Sequence, residues 1–235
     1  MALVTVWEDR RGVAEPSDPR FLDALGEGHA DALRALGRVR RYPVGATLFH
    51  ERDPPDAVFV LQSGRVKLTC ATEGGRDVLL GIREPGDLIG EMSAIDAVPR
   101  LASAIALGPV EVLVLSSQAF VAYLDRTPSV ALVLVRLLNR RLRETARERV
   151  EFQALDTVGR VCSRLVELAD RFGAAGADGR CVDVSITQEE LAAWTASSRE
   201  AVIRALRTLR ELGWIETRRR GITLVEVESL RRRAV

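Results

Sequence analysis

Three side chains near the C-terminal end raise the first chemical question: Arg199, Glu200 and Arg204, in the run Ser198-Arg199-Glu200-Ala201-Val202-Ile203-Arg204. Arginine's planar fork matches guanine O6 and N7, and a carboxylate accepts from cytosine N4. A carboxylate among phosphates is otherwise costly, so Glu200 aimed at a base says more than another arginine would. The apolar residues Val202, Ala205, Leu206 and Leu209 fall at i, i+3, i+4 and i+7, one stripe of a helix. With Val202 at the centre of the buried side, about 100° per residue turns Glu200, Arg204, Arg207 and Glu211 almost directly away from it. Arg199 flanks the helix start. The plainer alternative is a solvated charged face on which Glu200 only caps.

The elements that would position this face are legible nearby. Thr187 and Glu190 form a T-x-x-E capping box, which starts a helix at Gln188. Ala196-Ser197 make a turn, and Ser197 with Glu200 form a second box that starts the next helix. After Gly213, WIETR and GITLVEV read as strands joined by Arg219-Arg220-Gly221, a hairpin whose basic tip, Arg219 above all, would lie on phosphate. The pattern is a winged helix-turn-helix. Its second helix reads double-stranded DNA from its first turns, with Ser198, Arg199, Glu200, Arg204 and Arg207 facing the groove and Thr187 capping the first helix.

The whole chain is 235 residues, with 34 basic against 33 acidic side chains and a net charge of +1. Any nucleic-acid surface must therefore be local. Residues 199–233 supply it, with ten arginines against five glutamates. Hydrophobic residues at 47% and charged residues at 29% suit a soluble globular protein. Cys70, Cys162 and Cys181 are far apart and lack CxxC spacing, which argues against a metal centre or a disulfide framework and fits a reducing cytoplasm. His29 and His50 are the only histidines, and no nucleophile–base–acid spacing or metal set appears, so an enzyme is not expected. No apolar run reaches membrane-spanning length and the N-terminus lacks a signal-peptide core, which predicts a cytoplasmic protein with no membrane partner.

Stepping N-terminal, the texture predicts α+β organisation. Residues 1–20 read as a loose extension, and Phe21 to Leu36 as one or two short helices. From Arg40 to Leu115 the runs ATLFH, AVFVLQ, RVKLTC, DVLLGI, LASAIAL and VEVLVL are separated by turns bearing Gly64, Gly74, Gly75, Gly86 and Gly90. Regular spacing of this kind predicts an antiparallel β-roll of the double-stranded jelly-roll type. Glu73-Gly74-Gly75-Arg76 is a hairpin turn. At Thr127-Pro128 the period changes to helical, with Thr127 as cap and Pro128 in the first turn. Val135, Leu138, Leu142, Thr145, Arg149 and Phe152 then recur at steps of three and four, a heptad seam that calls for a partner helix. Another amphipathic helix over Asp156 to Phe172 and a loop, GAAGADGR, lead to the DNA-facing region. The predicted divisions are an extension over 1–20, a sensor roll over 21–126, a dimerisation helix over 127–153 and a DNA-binding unit over 154–235.

These residues resemble the cyclic-AMP receptor protein and fumarate–nitrate regulator (CRP/FNR) family of bacterial transcription factors. The resemblance rests on ITQEELAAWTASSREAVIRALRTLRELGWI, LDTVGRV, FVLQSGRVKL and PGDLIGE, and on the S-R-E-x-V-x-R pattern from Ser198 to Arg204. It covers roughly residues 21 to 228. It implies a homodimer joined along the long helix, a palindromic site with TGTGA-like half-sites, contact with RNA polymerase, and a small-molecule effector held in the roll. GDLIGEMSAIDAVPRLASA resembles the cassette that holds the phosphate of a cyclic nucleotide. By that resemblance Gly90 lets the backbone approach, Glu91 takes the ribose hydroxyl, Met92 lends a backbone N–H, Arg100 pairs with phosphate, Arg141 partners Glu91 and Thr145 faces the base.

Two positions depart from the cyclic-AMP-binding pattern: Leu101 stands where serine or threonine usually follows the arginine, and Ala146 where serine often follows the threonine. Each lost contact is worth about 1–3 kcal/mol. Together they would weaken cyclic AMP by about two to three orders of magnitude. Cyclic AMP or another cyclic nucleotide is thus a candidate effector rather than a required one. A ligand-independent DNA-binding regulator and a cyclic-nucleotide module serving another protein are the alternatives. Relatives that sense oxygen carry clustered cysteines, which this chain lacks.

Overall fold

A computed structural model describes residues 20–73, 77–176, 179–182, 187–218 and 221–234. The expected N-terminal extension, the centre of the Gly74-Gly75 turn, and Arg219 and Arg220 at the wing tip lie outside the described residues. The short helices α1 (Phe21–Ala24) and α2 (Glu27–Ala35) lead into the roll. Strands β1 (Arg38–Tyr42), β2 (Thr47–Phe49), β3 (Ala57–Ser63), β4 (Val66–Ala71), β5 (Asp77–Arg83) and β6 (Leu88–Ile89) follow, then helix α3 (Glu91–Asp96), then β7 (Ser103–Ala106) and β8 (Val110–Ser116). They form two antiparallel four-stranded sheets in the orders β1-β8-β3-β6 and β2-β7-β4-β5. This is the expected roll.

The period-2 geometry of a strand explains why β3 reads as an unbroken apolar run. Phe59 and Leu61 face the space between the sheets, with Val66, Ile89, Val110 and Val112. Val58 and Val60 face the other way, onto Phe21, Leu33, Phe120 and the long helix. Strand β1, RVRRY, is almost wholly exposed at a sheet edge, so no apolar alternation announced it. The hairpin expected around Gly74-Gly75 is flanked by paired ends, Ala71 opposite Asp77.

Helix α4 (Ser117–Arg126) starts on Ser116, whose hydroxyl accepts from Ala119 N, and it leads into α5 (Pro128–Ala154). Pro128 occupies the first turn as expected, but Thr127 makes no side-chain cap bond. Val130, Leu134 and Leu137 of α5 are buried against the roll. Further on, Leu142 is 68% exposed and Phe152 48%, and Thr145 and Arg149 are exposed between them, so the C-terminal half of the seam is uncovered in a single chain, as is the nearby Val150.

Asp156 caps α6 (Thr157–Phe172) by accepting from Gly159 N at 2.8 Å. The segment expected to be a loop is a hairpin, β9 (Gly173–Gly176) with β10 (Gly179–Val182). Glycine and alanine carry no apolar alternation, which is why it reads as loop. Then come α7 (Gln188–Trp194), α8 (Arg199–Glu211), β11 (Ile215–Arg218), β12 (Gly221–Leu224) and α9 (Val227–Arg233). The expected second wing strand is shorter than GITLVEV, because the chain turns helical at Val227. The third sheet runs β11-β12-β10-β9, and its helices share one core of Val161, Leu165, Leu168, Leu191, Leu209 and Leu230. Ile82 of β5 belongs to that same core, so the roll and the C-terminal unit are packed together.

Candidate functional site

The capping box forms as read. Thr187 Oγ1 accepts from Glu190 N at 3.1 Å, and Glu190 accepts from Thr187 N at 2.8 Å. The next helix starts one residue later than expected. Ala196 takes a left-handed φ of 47°, and Ser198, not Ser197, is the cap, its hydroxyl accepting from Ala201 N at 3.1 Å. Ser197 is instead held by Arg160 and by Thr195 O.

On α8 the stripe Val202, Ala205, Leu206 and Leu209 is buried, and Arg199, Glu200, Arg204 and Arg207 are exposed. Arg207 is paired with Glu211 at 2.8 Å on the same helix. The N–H of its own backbone and the Ser198 hydroxyl, followed by Arg199 and Arg204, hold the Glu200 carboxyl below the usual range. A negative acceptor thus stands between two cationic forks at the exposed start of a helix. Arg219 lies outside the described residues.

A network at the junction of the long helix and the C-terminal unit sets where this face points. Arg164 on α6 bonds Glu148 and Glu151 of α5 at 2.9 Å each, and its guanidinium lies 5.5 Å from the Trp194 ring of α7. Arg160 donates to Phe152 O and Leu155 O, and to Ser197 in the turn between the two helices. No local pattern in the sequence marks these contacts.

In the roll, Gly90 caps α3 with a left-handed φ of 83°, and a Cβ there would collide with Arg100 Nη1. Glu91 is buried and receives a short bond from Arg141, which also donates to Leu88 O at 2.9 Å. Gly90, Glu91, Arg100 and Arg141 are therefore brought together from three separate elements. Arg100 is only 1% exposed in its side chain. Its fork donates to Gly90 O at 3.0 Å, Ala57 O at 2.5 Å and Asp56 at 3.2 Å, and it lies 4.5 Å from the Phe49 ring centre. Burial pulls its pKa down, while Asp56 works against that.

Met92, Leu101 and Thr145 are exposed, and the Thr145 hydroxyl turns back on Arg141 O at 3.0 Å. Ser103 is occupied by Glu51 N at 2.9 Å. Cys70 and Cys162 are free thiols, Cys162 fully buried. Among the described residues no group of histidine, cysteine and acidic side chains is set to hold a metal, and no helix is long and apolar enough to cross a membrane.

Contacts between the two halves were not legible at all. Lys67 of β4 forms an ion pair with Glu190, the capping-box carboxylate of α7. Arg171 of α6 donates to Ile82 O at 3.1 Å. Strand β5 thus has its Ile82 face in the C-terminal core and its adjacent residue, Arg83, within electrostatic reach of Glu91 and Arg141.

Comparison with known proteins agrees with these parts. Residues 39–127 match the family described as cyclic nucleotide-binding domain, and residues 159–233 that described as Crp-like helix-turn-helix domain. A CRP-like cAMP-activated global transcriptional regulator of Mycobacterium tuberculosis is 35% identical over 82% of this chain and 86% of its own. A cyclic AMP receptor protein of Thermus thermophilus is 36% identical over 87% of this chain and 90% of its own. Among solved structures, the catabolite activator protein of Thermus thermophilus is 32% identical, covering 91% of this chain and 97% of its own, with a TM-score of 0.51. The c-di-GMP-responsive regulator CLP of Xanthomonas campestris has the same fold, at 24% identity and a TM-score of 0.75 over 84% of this chain and 98% of its own.

Proposed function

Because the chain belongs to the CRP/FNR family of bacterial transcription factors, we propose that this effector-controlled DNA-binding regulator acts as a homodimer on palindromic sites with TGTGA-like half-sites. The observation that carries this reading is the start of α8. Arg199, Glu200 and Arg204 protrude together while Val202, Ala205, Leu206 and Leu209 are sunk in the core. Arg199 and Arg204 would take guanine edges and Glu200 a cytosine amine. Arg207 and Arg219 would serve phosphates, which position the helix without specifying sequence. The uncovered Leu142, Val150 and Phe152 of α5 support pairing with a second copy. Contact with RNA polymerase comes from family membership, and the similar proteins named above are regulators rather than enzymes.

The effector site is the cassette of Gly90, Glu91, Met92, Arg100, Arg141 and Thr145. Cyclic AMP is the ligand named for two of the regulators described above, and a cyclic nucleotide is the class this cassette suits. Leu101, at 62% exposed, and Ala146 supply no hydroxyl, so cyclic AMP itself binds weakly. Strand β5 is the transmission element. Its Arg83 and Ile82 face opposite sides, one toward the cassette and one into the DNA-binding core. A ligand that prefers one docking of these halves shifts the population of recognition-helix positions, and a ligand indifferent to docking shifts nothing.

Gel-shift titration of Arg199→Ala on a palindrome and its single-base variants tests the reading. Loss of about 1–3 kcal/mol with relaxed preference at one base pair is expected. Unchanged affinity and unchanged preference would exclude α8 as the reading helix.

A further inference from the structure

Among the described residues, one part-buried cation of the roll is under-bonded. Arg83, at the end of β5, has its Nε buried without a hydrogen-bond partner. Among the described residues it hydrogen-bonds from Nη1 to the carbonyl of its own neighbour, Ile82 O, at 3.3 Å. The side chain leans back along the strand over Gly81, where an added Cβ would lie 3.1 Å from Nη1. Gly81 has a φ of 145° and no side chain, so it leaves the room that the guanidinium occupies.

The carboxylates around Arg83 are already engaged. Glu91 is taken by Arg141, and Asp87 accepts from Glu84 N at 2.8 Å. Burial, then the nearby Arg141, pull the Arg83 pKa down to about 10, which leaves it protonated at neutral pH. A part-buried charged fork whose Nε is shut off from solvent without a hydrogen bond is costly to the folded chain, and a bound ligand is one way to complete it. The phosphate role belongs to Arg100, whose fork is held by Gly90 O, Ala57 O and Asp56. Arg83 is a second donor, within electrostatic reach of the carboxylate that would hold the sugar.

We propose that Arg83 is a specificity-determining residue of the effector site, reading a second acceptor-rich group of the ligand. The inference rests on the cassette being the effector site. The fork fits two adjacent acceptors, which a guanine O6/N7 edge or a second phosphate supplies and the amino-bearing edge of adenine does not. The preferred effector is thus a nucleotide that offers both a phosphate to Arg100 and an acceptor pair to Arg83.

Calorimetric titration of the full-length protein with cyclic AMP, cyclic GMP and adenosine 3′,5′-bisphosphate, alongside melting of the ligand-free protein, tests this. Wild type is expected to bind cyclic GMP or the bisphosphate roughly tenfold or more tightly than cyclic AMP. Arg83→Leu should erase that margin, leave cyclic AMP within about threefold, and melt at or above the wild-type temperature, since it removes an unpaired buried charge. Arg83→Lys keeps the charge without the fork. It should retain part of a bisphosphate preference and lose a guanine preference, which separates the two sources.

A drop of several degrees in the ligand-free melting of Arg83→Leu with the ligand ranking unchanged would make Arg83 a structural residue and overturn the proposal. So would an equal change for all three ligands. If Arg83→Leu does not fold, Arg83→Lys with an unaltered ranking overturns it equally. Arg100→Ala keeps the two levels apart. If it abolishes cyclic-AMP binding while Arg83 variants leave the ranking alone, the site stands and only the inference falls. If no ligand binds wild type, both fall.

Discussion

Truncating Lys67 to alanine isolates the contact that ties the sensor roll to the DNA-binding unit. Lys67 and Glu190 are 22% and 20% exposed in their side chains, so most of the pair is out of water. A hydrogen bond to a charged group contributes about 1.5–3 kcal/mol. Glu190 keeps its bonds from Thr187 N at 2.8 Å and Thr187 Oγ1 at 3.0 Å, so its charge is not orphaned by the truncation. The loss falls at the lower end, about 1–2 kcal/mol, which is about a 5- to 30-fold shift in the docking equilibrium. Ile82 and the Arg171 bond to its carbonyl remain, so docking loosens rather than fails.

Hydrogen exchange read on peptides of β5 and α7 is the assay. Lys67→Ala should speed exchange there by about that 5- to 30-fold factor, with β1 and β8 unchanged as internal controls. A cycle with Glu190→Gln, which retains capping-box reach, should return a coupling of about 1–2 kcal/mol. A pH series adds a sign. Burial opposes the Glu190 charge, but Lys67 and Thr187 outweigh it and hold the carboxyl below its ordinary 4.5. A depressed carboxyl contributes stability fully above the unfolded value and loses it as pH falls through the folded one. Melting of the wild type should thus fall more than that of Lys67→Ala on going below about pH 4.5. Identical α7 protection in both proteins, together with zero coupling in the cycle, refutes the route from roll to DNA-binding unit through this contact.

Leu142→Glu on the uncovered seam should abolish the proposed pairing, giving a monomer in sedimentation velocity, and with it palindrome binding, while leaving the ligand-free roll folded by circular dichroism. A dimer that persists moves the interface elsewhere. Cys162 is fully buried, and that burial pushes its thiol up to about 11. At pH 8 its thiolate fraction is on the order of a thousandth, so iodoacetamide should label it only after unfolding, as read by peptide mass spectrometry. Rapid labelling in the native protein would contradict the packing of α6.

The chain's local patterns carried much of the architecture. Thr187 and Glu190 announce the α7 start because a capping box is written within four residues. The Val202, Ala205, Leu206 and Leu209 stripe assigns the outer face of α8 because helical periodicity needs no distant partner. The apolar runs of β3, β4, β5 and β8 announce the roll in the same way. Strand β1 escaped because an exposed edge strand rich in arginine has no alternation, and β9–β10 because a segment dominated by glycine and alanine shows no apolar alternation. The start of α8 shifted by one residue because Ser197 and Ser198 are both competent caps, and the left-handed turn at Ala196 decides between them.

Sequence alone determined most of the element types, the outward Arg199-Glu200-Arg204 face, and the pairing of Arg141 with Glu91 through its resemblance to a known cassette. Tertiary structure decided that Lys67 meets Glu190, that Ile82 of the roll completes the DNA-binding core, and that the Arg83 Nε is buried without a hydrogen-bond partner among the described residues. The physical reason is range. Caps and periodicity act over a few residues and leave a mark in composition, whereas 123 positions separate Lys67 from Glu190, and only the folding of the whole chain between them brings them within a hydrogen bond.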